Sequence, residues 1–288
     1  MNYLNLIGNT PTVSYKNIFV KLEKYNLSGS VKDRAVLGIL NDMQQKGQLT
    51  KDTVIVEASS GNTGISLAML APKFNVKAII FMPQSVSKER RALIQAYGAT
   101  LNIVAGPMSL AVKQANELIA SDPNTYISLN QFNHPANPAF HEATTGPEIL
   151  KAVPDIDVFV AGFGTAGTIV GTSRAIKKQR DLYVIGVEPA KSPLISQGTA
   201  SPHKIMGIGA DFVPGIYDSS LVDEIVTISD EDAIDMMIQF SKDTGIGVGI
   251  SSGANILAAL NYANKHTDKK VVTIAPDGLE KYLSIISE

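Results

Sequence analysis

Three stretches of this chain place glycine, hydroxyl and amide side chains in a turn between an apolar β-branched run and a segment of helical period. They are Glu57-Ala58-Ser59-Ser60-Gly61-Asn62-Thr63-Gly64, Gly162-Phe163-Gly164-Thr165-Ala166-Gly167-Thr168 and Gly249-Ile250-Ser251-Ser252-Gly253-Ala254. Such a turn presents backbone N–H groups, hydroxyls and a helix N-terminus to an anion, at the carboxyl edge of a sheet where α/β proteins bind ligands. One copy is what an ordinary helix cap looks like. Three copies together point to a ligand site.

Two of the turns match other motifs literally. Gly162-Phe163-Gly164-Thr165-Ala166-Gly167 is a G-x-G-x-x-G between a strand pattern and a helix pattern, and Glu188 lies at the end of the next strand pattern. That is a dinucleotide fingerprint and the basis of a rival reading, an NAD-dependent dehydrogenase. Against it, Thr165 and Thr168 add hydroxyls suited to a compact phosphate monoester, and a dinucleotide leaves the other two turns unexplained. Gly249-Ile250-Ser251-Ser252-Gly253 reads as a nucleophile elbow, whose triad partners follow in the order Ser, acid, His. After Ser251 the sole histidine is His266, with no Asp or Glu between them, so a hydrolase fails on order. His134, His141, His203 and His266 have no metal-ligand spacing and read as surface or structural; no metal is expected.

The elements that must position these turns are legible as alternation. Segments 18–22, 53–56, 76–82, 100–104, 158–161, 183–187 and 271–275 read as strands. Between them, Val36, Ile39, Leu40 and Met43 mark one apolar helix face, and Ala92, Leu93, Ala96 and Tyr97 suggest another. Continuous apolar strands alternating with helices predict an α/β fold with parallel sheet covered on both faces. The turn-rich stretch 130–138 is the best candidate for a domain crossing. With 288 residues, 44% hydrophobic, the chain has the composition of a globular protein. A net charge of −2 leaves no basic surplus for nucleic acid or an anionic membrane. The absence of cysteine removes disulfides, thiolate metal sites and thiolate nucleophiles. Neither a signal peptide nor a membrane span is visible, which predicts a cytoplasmic protein.

Taken in order, the motifs form a set: Ile7-Gly8-Asn9-Thr10-Pro11, Gly29-Ser30-Val31-Lys32-Asp33-Arg34, Ser59 to Gly64, Asn130-Gln131-Phe132, Thr145-Gly146-Pro147-Glu148, Gly162 to Thr168, Val187-Glu188-Pro189, Gly207-Ile208-Gly209-Ala210 and Gly249 to Ala254. This set closely resembles the cysteine synthase and cystathionine β-synthase family, pyridoxal-phosphate enzymes of the tryptophan-synthase-β fold (fold type II). The resemblance runs from Ile7 to about Leu283. It implies that Lys32 holds pyridoxal 5'-phosphate as a Schiff base, an amine role that requires a desolvated or cationic setting. It further implies that Asn62 bonds the cofactor's 3'-oxygen and that Gly164, Thr165, Ala166, Gly167 and Thr168 cradle its phosphate. Ser251 then partners the pyridine nitrogen; a hydroxyl there, in place of an acid, makes a milder electron sink suited to β-elimination and replacement. Ser59, Ser60, Gly61, Thr63 and Gln131 grip the α-carboxylate of the amino-acid substrate.

The resemblance also implies a smaller, movable domain of residues 34–135 and a larger cofactor-binding domain of 1–33 and 136–288. It implies a homodimer and, as in some relatives, a serine acetyltransferase as partner. The implied reaction is β-replacement, making L-cysteine from O-acetylserine and sulfide; cystathionine formation from serine or O-acetylserine with homocysteine is the alternative. Departures from the family pattern stand at Ala166, usually Gly, which is tolerated if its φ is negative. Ser59 replaces Thr, Asp211 replaces Gly and puts a carboxylate near the site entrance, and Pro276-Asp277-Gly278-Leu279-Glu280-Lys281-Tyr282-Leu283 departs from the usual Ser-Gly-Glu-Arg version.

Overall fold

The structure, a computed structural model, describes residues 3–286; the first two and last two residues of the expected domains lie outside it. Ten strands follow in chain order: β1 (Thr12–Tyr15), β2 (Ile18–Leu22), β3 (Val54–Ala58), β4 (Lys77–Pro83), β5 (Thr100–Val104), β6 (Tyr126–Ser128), β7 (Val158–Gly162), β8 (Tyr183–Pro189), β9 (Glu224–Ile228) and β10 (Val271–Ala275). The helices are α1 (Lys32–Gln45), α2 (Asn62–Leu70), α3 (Lys88–Ala96), α4 (Met108–Ser121), α5 (Ala136–Ala143), α6 (Thr145–Ala152), α7 (Gly167–Lys177), α8 (Leu194–Gln197), α9 (Asp230–Thr244), α10 (Ile250–Lys265) and α11 (Leu283–Ile286). The seven strands read from the sequence are present. The other three are short or half-exposed: β6 has three residues, and β1 and β9 each bury a single residue.

The chain divides into two compact units. The first comprises the chain up to Val31 and Asn137–Leu279, and holds a sheet of order β1-β2-β10-β7-β8-β9. Its β1–β2 pair is antiparallel and every other pair is parallel. Strands β7 and β10 are continuous apolar runs because both faces are covered. Helix α10 packs on both of them and α9 packs on α10. Gly253 permits the latter contact: a Cβ there would lie 2.0 Å from the Ala233 carbonyl oxygen.

The second unit comprises Lys32–Ala136 and the chain from Glu280 onward, with a fully parallel sheet of order β5-β4-β3-β6. The passage between units falls at 136/137, inside the turn-rich stretch 130–138. The last segment groups with this unit, whereas the sequence placed all of 136–288 together. Val36, Ile39, Leu40 and Met43 of α1 are buried as their spacing requires. The face expected on α3 differs: Ala92, Ala96 and Tyr97 are exposed, and the helix buries Arg90 and Ile94 instead. Arginine scores as polar in any apolar pattern, so the true buried side of α3 is invisible to periodicity.

Each sheet contains a switch point, where consecutive connections leave a strand in opposite directions. In the second unit the chain steps from β3 outward to β4 and β5, while β6 joins the other side of β3. In the first, β8 and β9 step outward from β7, while β10 joins its other side. Ligands of open α/β sheets bind in the crevice that such a switch leaves outside the carboxyl ends of the strands. The turn Ser59–Gly61 follows β3, and the turn Phe163–Ala166 follows β7.

Candidate active site

In the first unit, the turn after β7 runs into the N-terminus of α7. Ala166, its N-cap, sits at φ +65°, so the negative φ given as the condition for tolerating alanine here is not met. Asn137 fixes the turn: its Nδ2 donates to Thr165 Oγ1 at 3.0 Å, and the Gly167 N–H donates to the same oxygen. Gly167 has to be glycine, since a Cβ would lie 2.0 Å from Asn137 Oδ1. The Thr168 hydroxyl lies 3.3 Å from Nε2 of buried His141, whose Nδ1 is 2.8 Å from Thr145 Oγ1. His141 is thus structural, as read from the sequence. The backbone N–H groups of Gly164, Thr165, Ala166, Thr168 and Ile169 have no acceptor among the described residues. A row of unfilled donors at a helix N-terminus is the donor set that a phosphate dianion needs.

Ser251 stands in the first turn of α10, 2% exposed, and its hydroxyl has no hydrogen-bond partner among the described residues. Gly207, at φ +98°, passes beside it; a Cβ there would come within 3.7 Å of Ser251 Oγ. The Gly207–Ala210 segment is tied to the β7 turn by the Gly209 N–H donating to Phe163 O. A buried hydroxyl awaiting a partner suits a ring nitrogen, and these residues fit the phosphate and pyridine portions of pyridoxal phosphate. Asp211, after that segment, is exposed to solvent, as are Phe212 and Val213.

In the second unit, Lys32 is the first residue of α1 and half-buried, followed by fully buried Asp33 and Arg34. Asp33 accepts from Ser66 Oγ of α2. The turn after β3 opens α2. Ser59 Oγ accepts from the Gly61 and Gly64 N–H groups at 3.1 and 3.2 Å, so this hydroxyl caps the helix. The N–H groups of Ser60 and Thr63 have no acceptor among the described residues. Thr63 Oγ1 donates to Gln131 Oε1 at 2.7 Å, and Gln131 Nε2 donates to Glu57 Oε1 at 2.7 Å. Of the expected carboxylate-binding residues, Thr63 and Gln131 are therefore joined directly, as are Ser59 and Gly61, while the Ser60 side chain is exposed.

Sequence reasoning missed three residues behind this turn. Burial pushes the Glu57 carboxyl up to about 8, against a smaller lowering by the Gln131 bond, so it is largely neutral at pH 7. Arg90, 3% exposed, donates from Nη1 to Ser60 O at 2.8 Å and stacks on the Tyr282 ring at 4.9 Å. Its closeness explains Gly61, where a Cβ would lie 2.5 Å from Nη1. Lys281 donates from Nζ to Asn62 Oδ1 at 3.0 Å. Only a buried polar residue beside a motif could have signalled any of them, and burial is not written in the sequence.

The rival motifs resolve on geometry. The Glu188 carboxylate accepts from the Ile195 and Ser196 N–H groups and from Ser196 Oγ at 2.7–3.0 Å. It caps the turn at α8, and its oxygens are taken up where a dinucleotide reading needs them for a ribose. Ser251 lies within a helix whose Gly253 serves packing. Among the described residues no group of three or more His, Cys, Asp or Glu could hold a metal ion, and no helix is long and apolar enough to cross a membrane.

Comparison with known proteins agrees with this chemistry. The chain is 44% identical over 287 residues to cysteine synthase B of Campylobacter jejuni, covering 97% of this chain and 95% of that protein. A hydrogen sulfide-producing enzyme from Fusobacterium nucleatum superposes with a TM-score of 0.93 at 41% identity, covering 98% of this chain and 99% of that one. O-acetyl serine sulfhydrylase isoform 3 from Entamoeba histolytica gives a TM-score of 0.93 at 40% identity, covering 98% and 90%. The profile of the pyridoxal-phosphate dependent enzymes matches residues 3–277, and with unfilled donors at the head of α7 and a lysine opening α1, this chain belongs to that family.

Proposed function

We propose that the chain is a cysteine synthase, which breaks the Cβ–O bond of O-acetylserine, releases acetate, and forms a Cβ–S bond to sulfide. The observation that carries this reading is that a donor-lined helix N-terminus stands in each unit and Lys32 opens α1, on a chain 44% identical to a cysteine synthase B along 97% of its length. Pyridoxal phosphate, when bound, supplies an electron sink for the pair left on the substrate's α-carbon. Lys32 Nζ, Asn62, the Gly164–Thr168 turn and Ser251 are the residues that hold it.

The chain's own groups then have separable tasks. The N–H groups of Ser60 and Thr63, at the positive end of α2, take the substrate carboxylate. Gln131 joins them, oriented from both ends by Thr63 and Glu57, and Ser59 keeps the turn in shape as a cap. The neutrality of Glu57 spares the incoming carboxylate a like charge. Lys32 Nζ takes the α-proton, acetate departs with the Cβ–O electron pair, sulfide adds at Cβ, and Lys32 returns a proton to the α-carbon. The same family reading supports a cytoplasmic homodimer that binds a serine acetyltransferase.

The test is to supply the purified protein with O-acetylserine and sulfide and to follow cysteine, with homocysteine replacing sulfide in a parallel assay. Cysteine formation well above cystathionine formation is expected. The reverse ratio assigns the chain to cystathionine synthesis, and failure to form either product overturns the reading.

A further inference from the structure

The C-terminal segment reaches the Asn62 turn through a buried cation that the catalytic reading does not use. Lys281 is 1% exposed, and its Nζ lies 3.0 Å from Asn62 Oδ1. An ammonium donates hydrogen bonds and accepts none. The atom facing it must therefore be the amide oxygen, so the opposite end of the amide, its NH2, is what Asn62 presents elsewhere. The segment carrying Lys281 is fastened in place. Its carbonyl oxygen accepts from Ser87 Oγ, the Tyr282 ring lies on the Arg90 guanidinium, and the Ser284 N–H and hydroxyl donate to Glu89 at 3.2 and 2.9 Å. Arg90 in turn holds Ser60 O, one residue from the amide's own peptide.

We propose that Lys281 is a positioning residue for the cofactor: by occupying Asn62 Oδ1 from behind, it fixes the amide so that Nδ2 is the atom offered to the cofactor's 3'-oxygen. The inference rests on the reading that Asn62 meets that oxygen. An amide free to flip would present its oxygen to another oxygen for part of the time, a repulsive arrangement, and fixing the flip removes it. A guanidinium, which also only donates, would meet the same requirement.

The experiment is a double-mutant cycle on the holoenzyme with Asn62→Ala, Lys281→Met and both together. It reads the rate of cofactor release into a carbonyl trap and the position of the visible absorption band. Each single change should speed release about tenfold, the scale of losing a charge-assisted supporting bond. The double variant should lie within about twofold of either single one, because the two act as a unit. Lys281→Arg should stay within about threefold of wild type. If Asn62→Ala releases cofactor at the wild-type rate, the placement of Asn62 fails and the inference with it. If Asn62→Ala is impaired while Lys281→Met is silent, or the two effects add, the inference alone is overturned and Lys281 only stabilises the fold. Should Lys281→Met not fold, Lys281→Ala, which also removes the donor, replaces it in the cycle, with the same outcomes.

Discussion

The turn after β7 is held by neutral groups, Asn137 on Thr165 and glycines at close approaches. The turn after β3 is backed by buried ionisable side chains, Glu57 through Gln131, Arg90 on Ser60 and Lys281 on Asn62. Both end in a helix N-terminus with unfilled N–H groups, so both suit an anion. The neutral turn offers fixed dipoles whose strength does not vary with pH, appropriate for a phosphate that stays bound through every turnover. In the proposed function the other turn takes and releases a carboxylate in each cycle, and one of its supports, Glu57, can change its charge near neutral pH.

The largest expected effect falls on the charged side. Lys32→Ala should lower kcat by on the order of 10²–10⁴, the usual contribution of a positioned acid–base group, and should abolish borohydride-fixed cofactor at this position. Peptide mapping that finds another lysine labelled would remove Lys32 from its role.

Next comes the pH dependence of stability, where the two turns should differ most clearly. Glu57 loses its proton near 4.5 in the unfolded chain but near 8 when folded. Between these values the folded state binds more protons, so its stability falls as pH rises. The contribution is complete below about 4.5 and gone by about 8, a change of a few kcal/mol at most. Urea unfolding of the wild type and Glu57→Gln at intervals from pH 5 to 8.5 should show the two curves converging or crossing across that window. Parallel curves would mean that the carboxyl ionises in the folded protein as it does in water. The neutral turn is tested by Gly167→Ala, whose methyl would meet Asn137 Oδ1. Relieving that overlap should cost about 1–3 kcal/mol and speed cofactor release; a variant with wild-type stability and release would show that Asn137 does not lock the turn.

The same contrast explains what the sequence disclosed. The β7 turn was legible because its supports are local or chemically marked: Gly164, Thr165, Gly167 and Thr168 lie within one short run. Most of the apolar strands were legible for a related reason, since burial on both faces leaves a continuous β-branched run; β5, an edge strand with Thr100 and Ile103 exposed, is the exception. The supports of the β3 turn come from Arg90, Gln131 and Lys281, tens to hundreds of residues away. Only Gln131 was reached, through the family resemblance. Polar residues at buried positions break the patterns on which periodicity depends, which is also why α3 was assigned the wrong face. The grouping of Glu280 onward with the second unit has the same origin, because side chains on α3 draw that segment in and no linker composition marks the change.

The smallest effect is expected at Ala166. Its left-handed φ of +65° costs a non-glycine residue roughly 1–2 kcal/mol, which taken alone predicts that Ala166→Gly stabilises the protein. Two terms oppose this. Glycine enlarges the conformational freedom of the unfolded chain, worth about 0.4–1 kcal/mol, and the Ala166 methyl is buried in the core of the first unit, where removing it forfeits up to about 0.8 kcal/mol. The sum lies near zero, so Ala166→Gly should unfold in urea within about 0.5 kcal/mol of wild type. Cofactor release should also be unchanged, because Asn137 and Gly167, not residue 166, set the direction of the N–H groups. This balance accounts for alanine standing where the family usually has glycine. A gain above about 1.5 kcal/mol would show that backbone strain outweighs the methyl. A loss of that size would show that residue 166 is part of the packing that shapes the neutral turn, and would bring it closer in kind to the side-chain-supported turn after β3.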